Sequence, residues 1–176
     1  MNLSKRIPLL AAPLLLAMSG AVMSAMSAPD VPAAVAVPAG SNPAMTLKGV
    51  GLLSYECRAK AGSTDAFEWV FTGPDAQLQD MSGKQVGKYY GGPTWEHMDG
   101  SKVTGKQLAI AAAAAGNIPM QLVQTTPAMG SGAFTGVTYI QRVNTMGGVA
   151  PAMPCDAAKV STKSTVKYSA DYVFYK

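Results

Sequence analysis

The densest run of chemistry-bearing residues is Tyr89-Tyr90-Gly91-Gly92-Pro93-Thr94-Trp95-Glu96-His97-Met98-Asp99-Gly100-Ser101. In an extended chain side chains alternate, so Trp95, His97, Asp99 and Ser101 point one way and Thr94, Glu96 and Met98 the other. An indole stacks on sugar faces and a carboxylate accepts from hydroxyls. A Trp beside carboxylates on glycine-enforced turns is therefore the chemistry of a carbohydrate- or polymer-binding surface. On that reading Tyr90, Trp95, Glu96 and Asp99 form the contact surface. The competing reading makes Trp95 a core anchor and Asp99 the cap of its own Asp-Gly turn.

His97, Asp99 and Ser101 also carry the residue types of a nucleophilic triad, and Glu96, His97 and Asp99 those of an acid–base hydrolase. Alternate residues on a strand have Cα atoms about 6.5–7 Å apart, and no G-x-S-x-G elbow accompanies them, which argues against catalysis. The remaining carboxylates show no spacing that selects a glycosidase pair. Gly130-Ser131-Gly132-Ala133 lacks the Gly-Lys-Ser/Thr end of a phosphate loop and reads as a flexible hairpin.

A second cluster is Gln141-Arg142-Val143-Asn144-Thr145. Alternation puts Arg142 and Asn144 on one face, either as an anion clamp or as a structural salt bridge to Asp99 or Asp171. The salt bridge is the preferred expectation. The methionines are scattered, which fits gap-filling better than copper(I) binding.

The elements that must position these groups read as strands. Residues 47–57 alternate with Leu47, Gly49, Gly51, Leu53, Tyr55 and Cys57 on one face. Residues 67–71, 136–143 and 166–175 show the same period, the last with Val166, Tyr168, Ala170, Tyr172 and Phe174 together. Gly73-Pro74-Asp75 reads as the end of the aromatic strand, and Ser82-Gly83 as a hairpin tip. Residues 108–115 are ambiguous between strand and a short helical turn. This pattern predicts an all-β fold, an antiparallel β-sandwich or barrel-like domain with long loops.

The first residues read as an address. Lys5 and Arg6 precede an apolar run with Pro8 and Pro13 in it. Small residues follow, and Ala25-Met26-Ser27 fits a cut after Ser27. Residues 1–28 are thus a signal peptide and 29–45 a Pro/Ala-rich exposed spacer, with a single β domain over 46–176. The expected location is periplasmic or extracellular, with no membrane span once the signal is removed. In an exported chain Cys57 and Cys155 are expected to pair, closing a loop of roughly 100 residues.

Composition narrows the chemistry further. The 176 residues carry a formal charge of +4, one histidine and two cysteines. One histidine excludes a three-His zinc site and two cysteines exclude zinc ribbons and iron–sulfur frameworks, so no metal or cofactor is expected. Losing Lys5 and Arg6 leaves 12 basic against 10 acidic residues, a charge of +2, which gives no basis for nucleic-acid binding.

The chain resembles domain-of-unknown-function family 3455 over almost the whole domain. The resemblance is carried by Gly91-Gly92-Pro93-Thr94-Trp95-Glu96, Asp99-Gly100-Ser101, residues 139–145, Gly147-Gly148-Val149-Ala150-Pro151, Cys155-Asp156 and residues 166–175. It implies a secreted protein and no established activity. The family pattern carries a His shortly before Gly-Pro-Thr-Trp, where this chain has Lys88-Tyr89-Tyr90, and an aromatic where it has Met120. Some relatives are labelled malate dehydrogenase, yet this sequence has no G-x-G-x-x-G between a strand and a helix. The leading expectation is an exported, non-catalytic protein binding a polysaccharide or another cell-envelope component, with Arg142 and Asn144 as secondary contacts. The alternatives are a hydrolase using Glu96, His97 and Asp99, and a structural or stress-protective envelope protein.

Overall fold

The computed structural model describes residues 31–176. The expected signal peptide lies outside the described residues. Period-two alternation becomes eight antiparallel strands: β1 Pro43–Ala59, β2 Phe67–Gln79, β3 Gln85–Tyr90, β4 Thr94–His97, β5 Lys102–Ala111, β6 Met120–Thr125, β7 Tyr139–Gly147 and β8 Lys163–Tyr175. Each pairs with the next, and β8 returns to β1, so the sheet closes into a barrel with no free edge. The expected all-β, barrel-like class is what forms, and the sheet does not split into a sandwich.

The alternation decides which side chains enter the lumen. Leu53, Tyr89, Trp95, Val123, Ile140 and the β8 residues Tyr168, Tyr172 and Phe174 belong to one buried core. Tyr89 stacks on Trp95 at 4.6 Å and Phe134 on Phe174 at 4.7 Å, so aromatic rings fill the barrel's middle and one end. Gly49 makes room for them. A Cβ there would lie 2.5 Å from the Tyr172 ring, so any side chain at this position would have to displace that ring.

Three local expectations change. Gly73-Pro74-Asp75 does not end a strand; β2 runs through it as a bulge, with Gly73 at φ 154° and the register with β1 shifting between Ser54 and Tyr55. Proline and glycine inside a strand mark such bulges. Residues 108–115 divide, with β5 running to Ala111 and a turn following. The Pro/Ala stretch is not wholly an exposed spacer. Residues Ala33–Val35 form one 3-10 turn, Val35 is fully buried, and β1 already begins at Pro43. This turn lies on the outside of the barrel, where Gln141 Nε2 donates to Val35 O at 2.7 Å and Tyr175 OH donates to Gln141 Oε1 at 3.0 Å. Prolines block regular ladders, but one buried Val and one satisfied Gln suffice to seat the strap.

Cys57 and Cys155 are joined, with Cα atoms 5.6 Å apart. The bond ties the 148–162 loop to β1, and Trp69 Nε1 donates to Met153 O at 2.9 Å beside it.

Candidate functional site

The proposed contact surface around Trp95 does not assemble. Trp95 is 0% exposed, packed between Tyr89 and Tyr172, so no indole face is available to a ligand. This is a correction, and the cause is register: Trp95 is opposite Tyr89 on β3 and Val103 on β5, both lumen-facing. Glu96, its neighbour along the strand, therefore faces outward. There Tyr90 OH donates to Glu96 Oε2 at 2.6 Å, and that bond raises the Tyr90 phenol above its usual range. Tyr90 and Glu96 thus sit together outside the barrel, while Trp95 lies within it.

Asp99 occupies the β4–β5 turn as a clamp. Its Oδ1 accepts from Ser101 N at 2.8 Å and Ser101 Oγ at 2.6 Å, and its Oδ2 from Ala133 N at 2.7 Å. These donors, the Ser101 hydroxyl first, hold its carboxyl far below the usual carboxylate range. His97 Nδ1 lies 2.9 Å from Asp99 Oδ2. Ser101 is fully buried, and its hydroxyl donates to Asp99 while accepting from Phe134 N at 3.2 Å. The serine proton is directed to the carboxylate and not to the imidazole, so no nucleophile is activated. Glu96, His97 and Asp99 do not form one catalytic group either: His97 pairs with Asp99, while Glu96 accepts from Tyr90 and shares with His97 only a surface cavity that Asp99 does not line. The 130–133 segment expected as a flexible hairpin is tied down by Asp99; a Cβ on Gly132 would strike that carboxylate.

Arg142 and Asn144 part company at a bulge. The β7–β8 register shifts between Val143 and Met146, and Asn144 takes φ 50°. Asn144 turns outward and donates to Asp171 Oδ2 at 2.8 Å. Arg142, opposite Tyr172 on β8 and Gln121 on β6, turns into the barrel. The preferred salt bridge is absent: among the described residues no carboxylate pairs with Arg142. Its Nε and Nη2 both donate to Pro119 O, at 3.2 and 2.9 Å.

Arg142 lines a cavity of about 310 Å³ at the barrel end opposite the Asp99 turn. Its walls are Leu53, Tyr55, Phe71, Tyr89, Ile118 and Val123, with Pro74, Pro93 and Pro119 at the rim and Gln107 and Gln121 beside Arg142. The volume falls at the small end of the range for small-molecule sites, about 300–1,000 Å³. The lining matches such sites, being mostly apolar and aromatic with few polar groups.

Two rim segments are held in place. The β2 bulge supplies Thr72, Gly73 and Pro74. The 112–119 loop is held by Thr145 Oγ1 donating to Ile118 O at 2.6 Å, by Gly147 N donating to Asn117 Oδ1 at 2.7 Å, and by Arg142 itself. Tyr55 OH donates to Gly148 O at 2.7 Å. Burial raises the phenols of Tyr55, Tyr89, Tyr168 and Tyr172, and at all four the Arg142 charge opposes the rise. Of these, Tyr55 and Tyr89 line the mouth, within reach of the Arg142 charge.

Of this site, reading the residues singled out only Arg142. The inner face of β1 contributes Leu53 and Tyr55, which alternation does show. Phe71, Gln107 and Gln121 gave one usable signal, a polar or aromatic residue at a lumen-facing position. Among the described residues no group of three His, Cys, Asp or Glu side chains could hold a metal.

The class the fold defines is a closed eight-stranded antiparallel barrel, packed with aromatics and carrying a cavity at Arg142. The chain belongs to a protein family of unknown function, DUF3455, whose model matches residues 38–176. Neither a curated protein nor a solved structure matches it.

Proposed function

We propose that this protein is an exported, non-catalytic binding protein that holds a small molecule of the cell envelope or its surroundings in the barrel mouth. The observation that carries the reading is the open cavity around Arg142 in a barrel otherwise packed with rings. A purely structural barrel gains by filling such a space, because each void forfeits dispersion contacts. Hydrogen bonds on the 112–119 loop and the rim prolines restrain the mouth, which lowers the entropy lost on binding. The few polar groups favour a compact amphiphile over an extended polysaccharide, whose many hydroxyls would lack partners. Non-catalytic action is supported by the sequestered Ser101 and by the engagement of both Asp99 oxygens in the turn, at Ser101 and Ala133.

The test uses the protein's own reporter, since Trp95 stacks on Tyr89 and Tyr89 lines the mouth. A panel of short amphiphiles and cell-wall oligosaccharides is titrated against the purified protein, followed by tryptophan fluorescence and calorimetry. Saturable binding of an amphiphile that Gln121→Tyr abolishes, with the fold retained by circular dichroism, is the expected result. Binding that this mouth-filling variant leaves unchanged rejects the site.

A further inference from the structure

Arg142 poses an unfinished electrostatic problem. A half-buried guanidinium among aromatic walls gives up hydration, and no carboxylate of the described chain compensates it. Its hydrogen bonds use one side of the fork: Nε and Nη2 grip the same carbonyl, Pro119 O. Guanidinium is planar and carries five donors in a fixed geometry. The end-on edge, one N–H from each terminal nitrogen, meets no carboxylate among the described residues; the neutral Tyr172 hydroxyl lies near the guanidinium and leaves its charge uncompensated. That edge matches the two oxygens of a carboxylate.

The surrounding walls define the rest of the ligand. Tyr55 and Phe71 meet edge to face, with centroids 5.7 Å apart. With Tyr89 and the rim prolines they make flat, stiff surfaces. Gln121 Nε2 donates to Gln107 Oε1, which fixes the two amides against each other beside Arg142 and leaves Gln121 Oε1 and the Gln107 amide N–H groups for a ligand's polar atoms. A single cation calls for a single negative charge.

We infer that the mouth binds a small monocarboxylate with a flat apolar body, its carboxylate seated on the end-on edge of Arg142 and its body against Tyr55, Phe71 and Tyr89. This inference rests on the reading of the mouth as a binding site. The Pro119 contact gives Arg142 a second role, because it orients the fork and closes the rim at once.

The experiment compares trans-cinnamate with cinnamyl alcohol, a neutral molecule of the same shape, by calorimetry and saturation-transfer NMR. Wild type is expected to bind cinnamate at least about tenfold more tightly than the alcohol, since one charge-assisted bidentate pair is worth that much. Arg142→Lys keeps the charge but loses the fork, and is expected to weaken cinnamate about tenfold. Arg142→Met should bring cinnamate down to the alcohol's affinity. In wild type alone, binding should fade as pH drops through the carboxylate range near about 4, which keeps the test independent of whether the variants fold. Equal affinity for acid and alcohol, or cinnamate binding unaffected by Arg142→Met, overturns the carboxylate inference. If the alcohol still binds and Gln121→Tyr still blocks it, the mouth survives as a site. If neither probe's binding to wild type responds to Gln121→Tyr, the mouth reading fails with it.

Discussion

At the scale of single residues, the decisive fact is which way a strand side chain points. Trp95 and Glu96 are neighbours in sequence, yet one is the centre of the core and the other is outside. Alternation shows that they diverge; which of them faces in depends on the register of the β3 and β5 partners, which no local spacing encodes. Asp99 was legible as a turn residue, since an Asp-Gly-Ser run caps itself. Its hold on Ala133, 34 positions away, was not, because nothing local marks it. This clamp makes a testable statement about pH. The folded-state pKa of Asp99 is depressed by its donors, so its stabilisation is complete above the unfolded carboxyl's value near about 4. It is lost as pH falls from there towards the folded value. Asp99→Asn is expected to unfold at lower urea than wild type at pH 7, with the gap closing as pH falls below about 4. A gap of the same size at pH 7 and pH 2.5 would mean that the charge is not what the clamp uses.

At the scale of elements, the departures from expectation share one physical origin. Turn-forming residues inside long strands produced bulges, not ends: Gly73-Pro74 in β2 and Asn144 in β7. Both bulges serve the mouth, the first by forming its rim and the second by turning Arg142 in while Asn144 turns out. Gly73-Pro74 was legible as a break in regularity, whereas Asn144 was expected on one regular strand face with Arg142 and nothing local marked its bulge. Whether a break ends a ladder or kinks it depends on the partner strand, here a 17-residue β1 long enough to pair on both sides of the kink. The strap over β5 to β8 was illegible for a related reason. Its composition forbids long regular structure, and only its three-dimensional seat reveals Val35 as buried. Val35→Ala is expected to lower unfolding free energy by about 1–3 kcal/mol, the usual range for removing buried methyl groups. Urea titration checks it, and an unchanged midpoint would show the strap detached in solution. Gly49→Ala tests the inner wall. Its Cβ would meet the Tyr172 ring, and overpacking of this kind costs about 1–3 kcal/mol.

At the scale of the whole molecule, the meander needs only one long-range pairing, β1 with β8, to close. The all-β class followed from period-two patterning. Closure follows from strand number and stagger, and alternation marked only four of the eight strands, β1, β2, β7 and β8. The disulfide acts on this same long-range problem. Cys57 and Cys155 are 98 positions apart, so the bond fastens the loop before β8 to the strand that β8 must find. By chain entropy such a closure is worth about 4.7 kcal/mol before strain, and removing a native disulfide from a small domain typically costs about 2–5 kcal/mol. The double variant Cys57→Ser/Cys155→Ser is expected to lose stability in that range and, because the 148–162 loop borders the mouth through Gly148 and Tyr55, to weaken ligand binding as well. The bond needs an oxidising compartment, which links it to the proposed export. Full-length chain produced in a bacterium is expected in the periplasmic fraction, cut after Ser27 and two hydrogens lighter than the dithiol by intact mass. A reduced, uncut chain retained in the cytoplasm would reject both the leader and the compartment. If wild type gave the same urea midpoint with and without reductant while thiol labelling showed the bond fully broken, the staple would be shown to add nothing.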